Sequence, residues 1–273
     1  MRAAIPLAKG SASSSRWLNR QSRDPYVRLR SSPTSSSSLP TSYRSRSSFK
    51  LVSLAQKHPS LLNPSTTKSV VDLGAAPGGW SQVALNMLKR GKTSGRGRVW
   101  AVDILGMEPI PGVEVIKGDF LSSEVRDFLK SKVQQQASAG AGPGTGMDEK
   151  MENDTFGGID TVLSDMMAPM TGVRIRDIGL SLELCAAATI FARDVLNKAK
   201  EGEEVRKEGG KKVYPGGNLV MKFFAHPDLD EFKKLELDPW FGKVVVEKPK
   251  ESRSESSEAY WVCLGFKGDP NVR

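Results

Sequence analysis

The stretch that decides the fold is VVDLGAAPGGW, residues 70–80. An apolar run ends at an acidic residue, and a turn rich in Gly, Ala and Pro follows it. Residues 81–89 then have the apolar spacing of a helix. A strand, a tight loop and a helix start in this order present backbone N–H groups at the carboxyl end of a strand, where α/β sheets bind ligands. We therefore expect a ligand-binding loop here.

Strand and helix patterns alternate on both sides of this loop. Predicted strands cover residues 70–73, 98–102, 113–116, 159–164, 218–223, 243–247 and 259–265. Predicted helices cover residues 45–56, 81–89, 122–133, 177–199 and 229–237. Only a Ser-rich loop joins the last two strands. We therefore expect a Rossmann-like α/β fold with a seven-stranded, mainly parallel sheet, helices on both faces and the last strand antiparallel.

The composition divides the chain into an arm, one domain and a short tail. Residues 1–40 are rich in Ser and Arg, and we expect this basic arm to be mostly disordered. Residues 41–268 form the predicted domain, and residues 269–273 form the tail. Within the domain, residues 134–158 and 200–216 lack helix or strand periodicity and are predicted to be mobile surface inserts.

The positive charge of the chain is concentrated at its N-terminus. The formal net charge is +9, and residues 1–50 contain ten basic side chains and one acidic side chain, so the rest of the chain is neutral overall. An acid-poor N-terminus rich in Ser and Arg resembles an organelle transit peptide. It also suits an arm that binds phosphates. A solvated tail without either role is the third interpretation.

The composition disfavours a membrane-spanning protein and a metal-binding protein. No apolar run of about 18 residues is present, so we expect no transmembrane helix. Cys185 and Cys263 lie far apart in apolar surroundings and are expected to be buried thiols. Because the chain has only two histidines, we expect no metal site.

Four acidic residues end or follow predicted strands: Asp72, Asp103, Asp119 and Asp165. The carboxyl ends of parallel strands line one edge of an open sheet, where the ligand crevice lies. Asp103 is placed to accept hydrogen bonds from two ribose hydroxyls, and Asp119 is placed to reach an adenine amino group. The four residues together predict a site for a cofactor that contains adenosine.

The Gly-rich loop distinguishes between two such cofactors. A dinucleotide site needs G-x-G-x-x-G to place a pyrophosphate on a helix N-terminus. Here Pro77 removes one N–H donor and stiffens the turn. Asp72 disfavours a nearby phosphate and suits a ligand that carries an ammonium and a sulfonium group. The loop therefore favours S-adenosylmethionine over NAD.

Lys222 lies in the otherwise apolar strand LVMKFF, residues 219–224. Burial and a neighbouring cation lower the pKa of a lysine, so Lys222 is a plausible general base near a substrate hydroxyl. The alternative is a structural lysine whose stem packs on the sheet while its amine reaches solvent. The sequence alone leaves both interpretations open.

Several motifs together resemble the FtsJ/RrmJ family of ribosomal RNA 2′-O-methyltransferases, and the resemblance covers nearly the whole chain. They are SASSSRWL at 11–18, YRSRSSFKL at 43–51, VVDLGAAPGGWSQ at 70–82, KGDF at 117–120, LSDM at 163–166 and SSEAY at 256–260. The combination is very specific to that family.

The resemblance implies the residues of the active site. The family uses a Lys-Asp-Lys-Glu tetrad, which falls here on Lys50, Asp165, Lys222 and Glu258. In this family the second lysine activates a ribose 2′-hydroxyl. The resemblance implies that Asp165 and Lys50 hold that hydroxyl in place and that Glu258 orients either the tetrad or the substrate. The implied contacts with S-adenosylmethionine are Gly74, Pro77, Gly78, Gly79, Trp80, Asp103, Asp119, Phe120 and Asp165.

One motif departs from the family pattern. The family has S-D-M-A-P-N after the fourth strand, whereas residues 164–170 read SDMMAPM, which is one residue longer and lacks the Asn. We expect the loop near the target nucleotide to differ for this reason.

The resemblance implies S-adenosylmethionine-dependent 2′-O-methylation of a ribose, that of a uridine, in large-subunit ribosomal RNA or its precursor. We expect a monomer that does not bind a membrane. The arm favours a mitochondrial location, with the cytoplasm or nucleus as alternatives. The competing functions are a methyltransferase of the same family acting on tRNA or another RNA, and an RNA-binding ribosome-assembly factor without catalysis.

Overall fold

A computed structural model of the protein describes residues 19, 22, 24–29, 42–90, 97–139, 158–226, 229–253 and 256–271. Within these residues the chain forms one seven-stranded sheet with helices on both faces and a separate two-stranded hairpin.

The main sheet has the strand order β3-β2-β1-β4-β7-β9-β8. Its strands are β1 Ser69–Leu73, β2 Arg98–Asp103, β3 Val113–Lys117, β4 Thr161–Ser164, β7 Asn218–Phe224, β8 Phe241–Glu247 and β9 Glu258–Phe266. Strand β9 is antiparallel to both of its neighbours, and the other pairs are parallel. The strand order reverses between β1 and β4, which is where an open α/β sheet has its ligand crevice. The predicted fold class is confirmed.

Helices cover both faces of the sheet. They are α1 Pro25–Leu29, α2 Ser48–Lys57, α3 Gly79–Leu88, α4 Ser123–Ala139, α5 Arg174–Val195 and α6 Leu229–Phe232, which continues as a π-helix over Lys233–Leu237. One core cluster joins α2 and α3 to the first face through Leu51 and Val83. The other joins α4, α5 and α6 to the second face through Leu129, Phe191 and Leu229.

Several elements begin or end a few residues away from their predicted bounds; helix α5, for example, spans Arg174–Val195 instead of residues 177–199. Two of these differences have a clear physical cause. Helix α4 continues to Ala139, because the residues after 133 include good helix formers although they lack apolar spacing. Ile159 is predicted to begin β4 but forms an isolated bridge with Leu196. Its amide also donates to the carbonyl of Val195, so this residue is tied to the end of α5.

The arm and the inserts contain more structure than the sequence predicts. Helix α1 lies within the arm and is held by an ion pair of 2.6 Å between Asp24 and Arg46 and by a ring contact of 5.5 Å between Tyr26 and Phe49. The second insert contains a hairpin of β5 Arg206–Glu208 and β6 Lys211–Val213. The remainder of the arm, except residues 19, 22 and 24, and residues 140–157 of the first insert lie outside the described residues.

Two further predictions can be compared with the structure. Cys185 and Cys263 are buried free thiols, as predicted. In the part of the chain that the structure describes, no helix is long and apolar enough to cross a membrane.

Candidate active site

Strand register brings three predicted catalytic residues together at one sheet edge. Ser164 at the end of β4 pairs with Met221 of β7, so the following Asp165 lies beside Lys222. On the other side of β7, Lys222 pairs with Tyr260 and Phe224 pairs with Glu258. Directly opposite residues of a sheet share a face, and so do residues two apart on a strand. Lys222, Tyr260 and Glu258 therefore extend from the same face.

Helix α2 supplies the fourth predicted residue. Lys50 is the third residue of α2, on the side that packs against the sheet, and its side chain is only 10% exposed. Its ammonium group forms an ion pair with the Glu258 carboxylate. Trp80 of α3 fixes the start of α2, because its indole Nε1 donates to the Ser47 carbonyl at 2.9 Å.

Asp165 holds the second lysine of the tetrad, Lys222. Lys222 Nζ lies 3.0 Å from Asp165 Oδ1 and donates to the Asp165 carbonyl oxygen at 2.6 Å. The Lys222 side chain is 8% exposed, so it points into the site. This excludes the alternative of a structural lysine that reaches solvent at a sheet edge.

Tyr260 joins the two ion pairs and was missed as a site residue. Its hydroxyl donates to Asp165 Oδ1 at 3.0 Å, and Lys50 Nζ donates to the same hydroxyl oxygen at 3.4 Å. The only signal for it in the sequence is its place in the motif at 256–260, two residues after Glu258. We call Lys50, Asp165, Lys222, Glu258 and Tyr260 the polar cluster.

The protonation states in the polar cluster follow from burial and charge. Burial alone would raise the pKa of Glu258. The charge and hydrogen bond of Lys50, together with Ser252 and the charge of Lys222, outweigh burial, so the pKa lies below its ordinary value. Burial, together with the charges of Asp165 and Glu258, raises the pKa of Tyr260 well above its ordinary value. At neutral pH the cluster therefore contains an ionised Glu258 and a protonated phenol that donates to Asp165.

Close chain packing explains the glycines of the loop after β1. An added Cβ on Gly74 would lie 2.7 Å from the Met166 backbone, and one on Gly79 would lie 2.0 Å from Ser45 Oγ. Gly78 has φ +105°, which non-glycine residues rarely adopt. These glycines let the loop approach β4 and α2. The loop thus connects the polar cluster to the rest of the crevice.

Asp72 is completely buried beneath α3 instead of opening into the crevice. Its Oδ2 accepts a hydrogen bond of 2.6 Å from Ser81 Oγ, and its Oδ1 has no partner among the described residues. Burial raises the pKa of Asp72 to about 7, although the Ser81 hydrogen bond acts in the opposite direction. Because its pKa lies near neutrality, the Asp72 carboxyl can ionise and balance the positive charge of a ligand.

The two acids predicted to bind adenosine follow the neighbouring strands. Asp103 ends β2, where Oδ2 accepts from the Ala76 amide and Oδ1 from the Leu105 amide, each at 2.8 Å. Asp119 follows β3, is exposed, and accepts from the Leu121 amide at 2.9 Å. Asp103 thus ties the Gly-rich loop to the end of β2, and both carboxylates remain at the sheet edge predicted for them.

Two predicted cofactor residues have side chains in the core. Trp80 is 2% exposed and packs 5.7 Å from the Tyr260 ring, and Phe120 packs edge to face against Phe191 at 5.4 Å. Only the backbone of these two residues is available to a ligand in this arrangement. Pro77, in contrast, is exposed at the tip of the loop.

Arg44 is a further site residue that sequence reasoning missed. Its guanidinium donates to the carbonyls of Pro77, Glu108 and Pro109, at 3.3 Å for Pro77 and 2.8 Å for Pro109. It thereby joins the Gly-rich loop to the loop after β2. The motif at 43–51 contains Arg44, but nothing in its spacing shows this bridging role.

Comparison with known proteins identifies the family. The model of the FtsJ-like methyltransferase family matches residues 43–266, a range that contains the whole polar cluster and the Gly-rich loop. The chain belongs to the FtsJ-like methyltransferase family. This confirms the predicted enzyme class and S-adenosylmethionine as its methyl donor.

Relatives of this FtsJ-like methyltransferase match most of the chain. It is 35% identical over 265 residues to ribosomal RNA large subunit methyltransferase E of Sinorhizobium fredii, covering 97% of this chain and 86% of that protein. It is 33% identical to the protein of the same name from Nitrosomonas europaea, covering 94% of this chain and 98% of that one. A crystal structure from Plasmodium falciparum, described as a ribosomal RNA methyltransferase, matches with a TM-score of 0.59 and 27% identity over 83% of this chain and 100% of that chain.

The predicted mitochondrial location is wrong. The curated relatives above are bacterial, and bacteria have no mitochondria. The match to the Sinorhizobium fredii protein covers 97% of this FtsJ-like chain, so most of the basic arm falls within the matched region. Most of the arm therefore aligns with a bacterial relative. Its content of Ser and Arg is not the mark of a transit peptide here.

The crevice of this FtsJ-like methyltransferase fits its cofactor. The unpartnered Oδ1 of the buried Asp72 suits a ligand with positive charge, and the first amides of α3 have no acceptor within the helix and suit a carboxylate. Asp103 and Asp119 offer carboxylate oxygens for hydroxyl and amino groups. Among the described residues, no group of three or more His, Cys, Asp or Glu side chains is arranged to hold a metal ion.

Proposed function

We propose that this protein transfers a methyl group from S-adenosylmethionine to the 2′-oxygen of a ribose, that of a uridine, in the RNA of the large ribosomal subunit. The observation that carries the proposal is the polar cluster, in which two buried lysines face two carboxylates beside the cofactor crevice. The names of the bacterial relatives support the choice of large-subunit ribosomal RNA.

The proposed cofactor residues lie around the Gly-rich loop. Asp103 holds the ribose hydroxyls of the cofactor, Asp119 holds its adenine amino group, and the amides of Gly79 and Trp80 receive its carboxylate. Pro77, Gly74, Gly78 and the backbone of Phe120 complete the proposed contacts, together with Asp165. When bound, the cofactor supplies an electrophilic methyl group on a sulfonium, which already carries a good leaving group.

The remaining task of the protein is to prepare the 2′-hydroxyl. Lys222 is the proposed base: in its neutral form the amine accepts the hydroxyl proton as the new C–O bond forms. Asp165 fixes the amine through its carboxylate at 3.0 Å and its carbonyl at 2.6 Å. These two contacts anchor the amine of Lys222 beside Asp165, where it would meet the substrate oxygen.

The other members of the polar cluster hold the substrate oxygen and the base in place. Lys50 donates toward the ribose hydroxyl while Glu258 balances its charge, and Tyr260 links both halves through Asp165. Orientation of this kind contributes up to about 7–11 kcal/mol to catalysis. General-base help contributes a further factor of about 10²–10⁴. Positioning is therefore the larger effect.

The proposal is tested by offering RNA to the purified protein with methyl-labelled S-adenosylmethionine. Large ribosomal subunits without the methyl group, total tRNA and unrelated RNA are compared, and the labelled nucleoside is identified after digestion. We expect 2′-O-methyluridine from the ribosomal subunits only. Label in tRNA alone would favour the tRNA enzyme, and binding of subunits without any label would favour an assembly factor.

A further inference from the structure

A small cavity opens beside the polar cluster, between the loop that follows β4 and the ends of β7 and β9. Its volume is about 230 Å³, and its lining includes Met170, Arg174, Phe224 and Ser257. Phe224 follows Lys222 by two residues on β7 and shares its face. Ser257 directly precedes Glu258. The cavity therefore lies next to the proposed catalytic residues.

The distance between Lys222 and Phe224 suits the ribose and the base of one nucleotide. Two residues along a strand span about 7 Å, so Phe224 lies about that far from Lys222. The base of a nucleotide is joined directly to its ribose. A ribose with its 2′-oxygen at Lys222 therefore carries its base within reach of this cavity.

The lining has the chemistry that binds an unstacked base. Phe224 is a half-buried aromatic ring, and Met170 presents a polarizable thioether that is 57% exposed. Arg174 is exposed, and within the described residues no hydrogen bond or ion pair engages it. Proteins recognise single-stranded RNA by stacking bases on aromatic rings and on Arg guanidinium groups. The volume lies below the roughly 300–1,000 Å³ of pockets for drug-sized ligands, which suits one ring system.

Hydrogen bonds to the Asp177 carboxylate hold the loop that carries Met170. Asp177 Oδ1 accepts from both the amide and the hydroxyl of Thr171 at 2.7 Å, and Oδ2 accepts from the Gly172 amide at 3.2 Å. These hydrogen bonds hold the pKa of Asp177 below its ordinary value, so the carboxylate is ionised at neutral pH. The altered loop, although it lacks the Asn of the family pattern, is thus an ordered wall of the cavity.

A larger cavity of about 340 Å³ does not offer the same chemistry. It lies near the first, since Ala225 lines both, but Phe223 and Trp261 place it on the other face of the sheet. Neither Lys nor Arg is among its lining residues within the described part of the chain. It faces away from the polar cluster and does not compete as the base site.

We propose that the smaller cavity binds the base of the nucleotide that is methylated, with Phe224 and Met170 as stacking surfaces and Arg174 as a hydrogen-bond donor at its mouth. This inference rests on the proposed function and makes Met170 and Arg174 determinants of substrate binding. A base splayed out of a single-stranded segment is required, because the cavity has room for one ring system.

The chain offers a matched pair of double variants for the test. Met170→Ala/Arg174→Ala removes one thioether and one cation from the cavity. Met167→Ala/Arg176→Ala removes the same groups from exposed positions of the same loop and helix that do not line it. Methylation of large ribosomal subunits that lack the methyl group is measured for both, together with the Kd for S-adenosylmethionine.

We expect the KM for subunits to rise about ten-fold or more in the first variant, because stacking and cation contacts to a base have this size. The second variant should keep the wild-type KM, and both should keep the wild-type cofactor Kd. Equal KM values for the two variants would overturn the base site while leaving the proposed function intact. A wild-type protein that methylates no RNA would overturn the proposed function itself.

Discussion

The hydroxyl of Tyr260 links the two ion pairs of the polar cluster through hydrogen bonds. Its hydroxyl donates to Asp165 and accepts from Lys50, and the residue is completely buried. A tyrosine in an apolar strand has the sequence signature of a core residue, so composition and periodicity cannot reveal this role. Its hydrogen bonds become visible only when the register of β7 and β9 is known.

Tyr260→Phe should lower kcat for methyl transfer by about ten-fold, since a hydrogen bond to a charged group contributes roughly 1.5–3 kcal/mol. Cofactor binding should be unchanged. Tyr43→Phe is the control, because the Tyr43 hydroxyl is also buried but has no partner among the described residues. A drop in kcat of the same size in the control would contradict the role of Tyr260.

Asp72→Asn should change the pH dependence of stability. The wild-type carboxyl has a pKa of about 7 in the fold and an ordinary value of 3.8, so its buried charge costs more stability as the pH rises toward 7. Between pH 5 and pH 8 the variant should gain about 3 kcal/mol relative to the wild type. Urea unfolding without cofactor measures this difference.

A stability difference between Asp72→Asn and the wild type that does not vary with pH would contradict the assignment. The same variant provides a second readout, because the neutral amide no longer supplies a negative charge beneath the crevice. We expect weaker binding of S-adenosylmethionine at pH 8, where the wild-type carboxylate is ionised. Binding of the neutral part of the ligand, tested with adenosine, should be preserved.

At the scale of elements, the contact between α2 and α3 determines where Lys50 lies. Gly79 begins α3 and leaves room for Ser45 and Ser48, which flank the start of α2. The indole of Trp80 then binds the Ser47 carbonyl. Gly79 of the loop thus serves helix packing as well as the proposed ligand site.

Gly79→Ala should destabilise the protein by about 1–3 kcal/mol, because the new Cβ would lie 2.0 Å from Ser45 Oγ and 2.5 Å from Ser48 Oγ. Helix propensity alone predicts the opposite sign. Gly179→Ala is the control, since an added Cβ there meets nothing within 4 Å in the middle of α5. That variant should gain up to about 1 kcal/mol in denaturant unfolding. Stabilisation by both variants would contradict the packing role of Gly79.

The sequence predicts the elements of the main sheet well because apolar periodicity and strand-end acids mark them. Strand ends and an apolar strand single out Asp165 and Lys222 individually, but Lys50, Glu258 and the assembly of all four into one site are predicted only through resemblance, since residues spread over the chain carry no local signal of contact. The β5–β6 hairpin is missed because its strands alternate charged residues instead of apolar ones. The burial of Asp72 depends on how α3 packs over β1, which no pattern in the sequence encodes.

At the scale of the molecule, the positive charge is concentrated in the first 50 residues, and residues 51–273 are neutral overall. Residues 1–23 contain five basic side chains and no acidic one. Helix α1, which follows them, is held to the body through Asp24, Arg46 and the ring pair of Tyr26 and Phe49. The arm therefore leaves the body close to α2, the helix that carries Lys50. This arrangement suits an arm that contacts RNA near the reacting ribose.

Removal of residues 1–23 should raise the KM for large ribosomal subunits and reduce its salt dependence. Each lost phosphate contact lowers the slope of log affinity against log salt by about 0.7 for single-stranded RNA. The cofactor Kd and the thermal stability of the body should stay at the wild-type values. A truncated protein with an unchanged KM and salt slope would show that the arm does not bind the substrate.

In the proposed function, Lys222 prepares a ribose 2′-hydroxyl of large-subunit ribosomal RNA for methylation. The most direct measurement maps 2′-O-methylated nucleotides in ribosomal RNA from cells that contain the wild-type protein, the Lys222→Ala variant or neither. S-adenosylmethionine binding is titrated in parallel with both purified proteins. We predict one uridine that is methylated only with the wild type, and near-normal cofactor binding by the variant. Methylation that persists with Lys222→Ala, or no uridine that depends on the protein, would contradict the account.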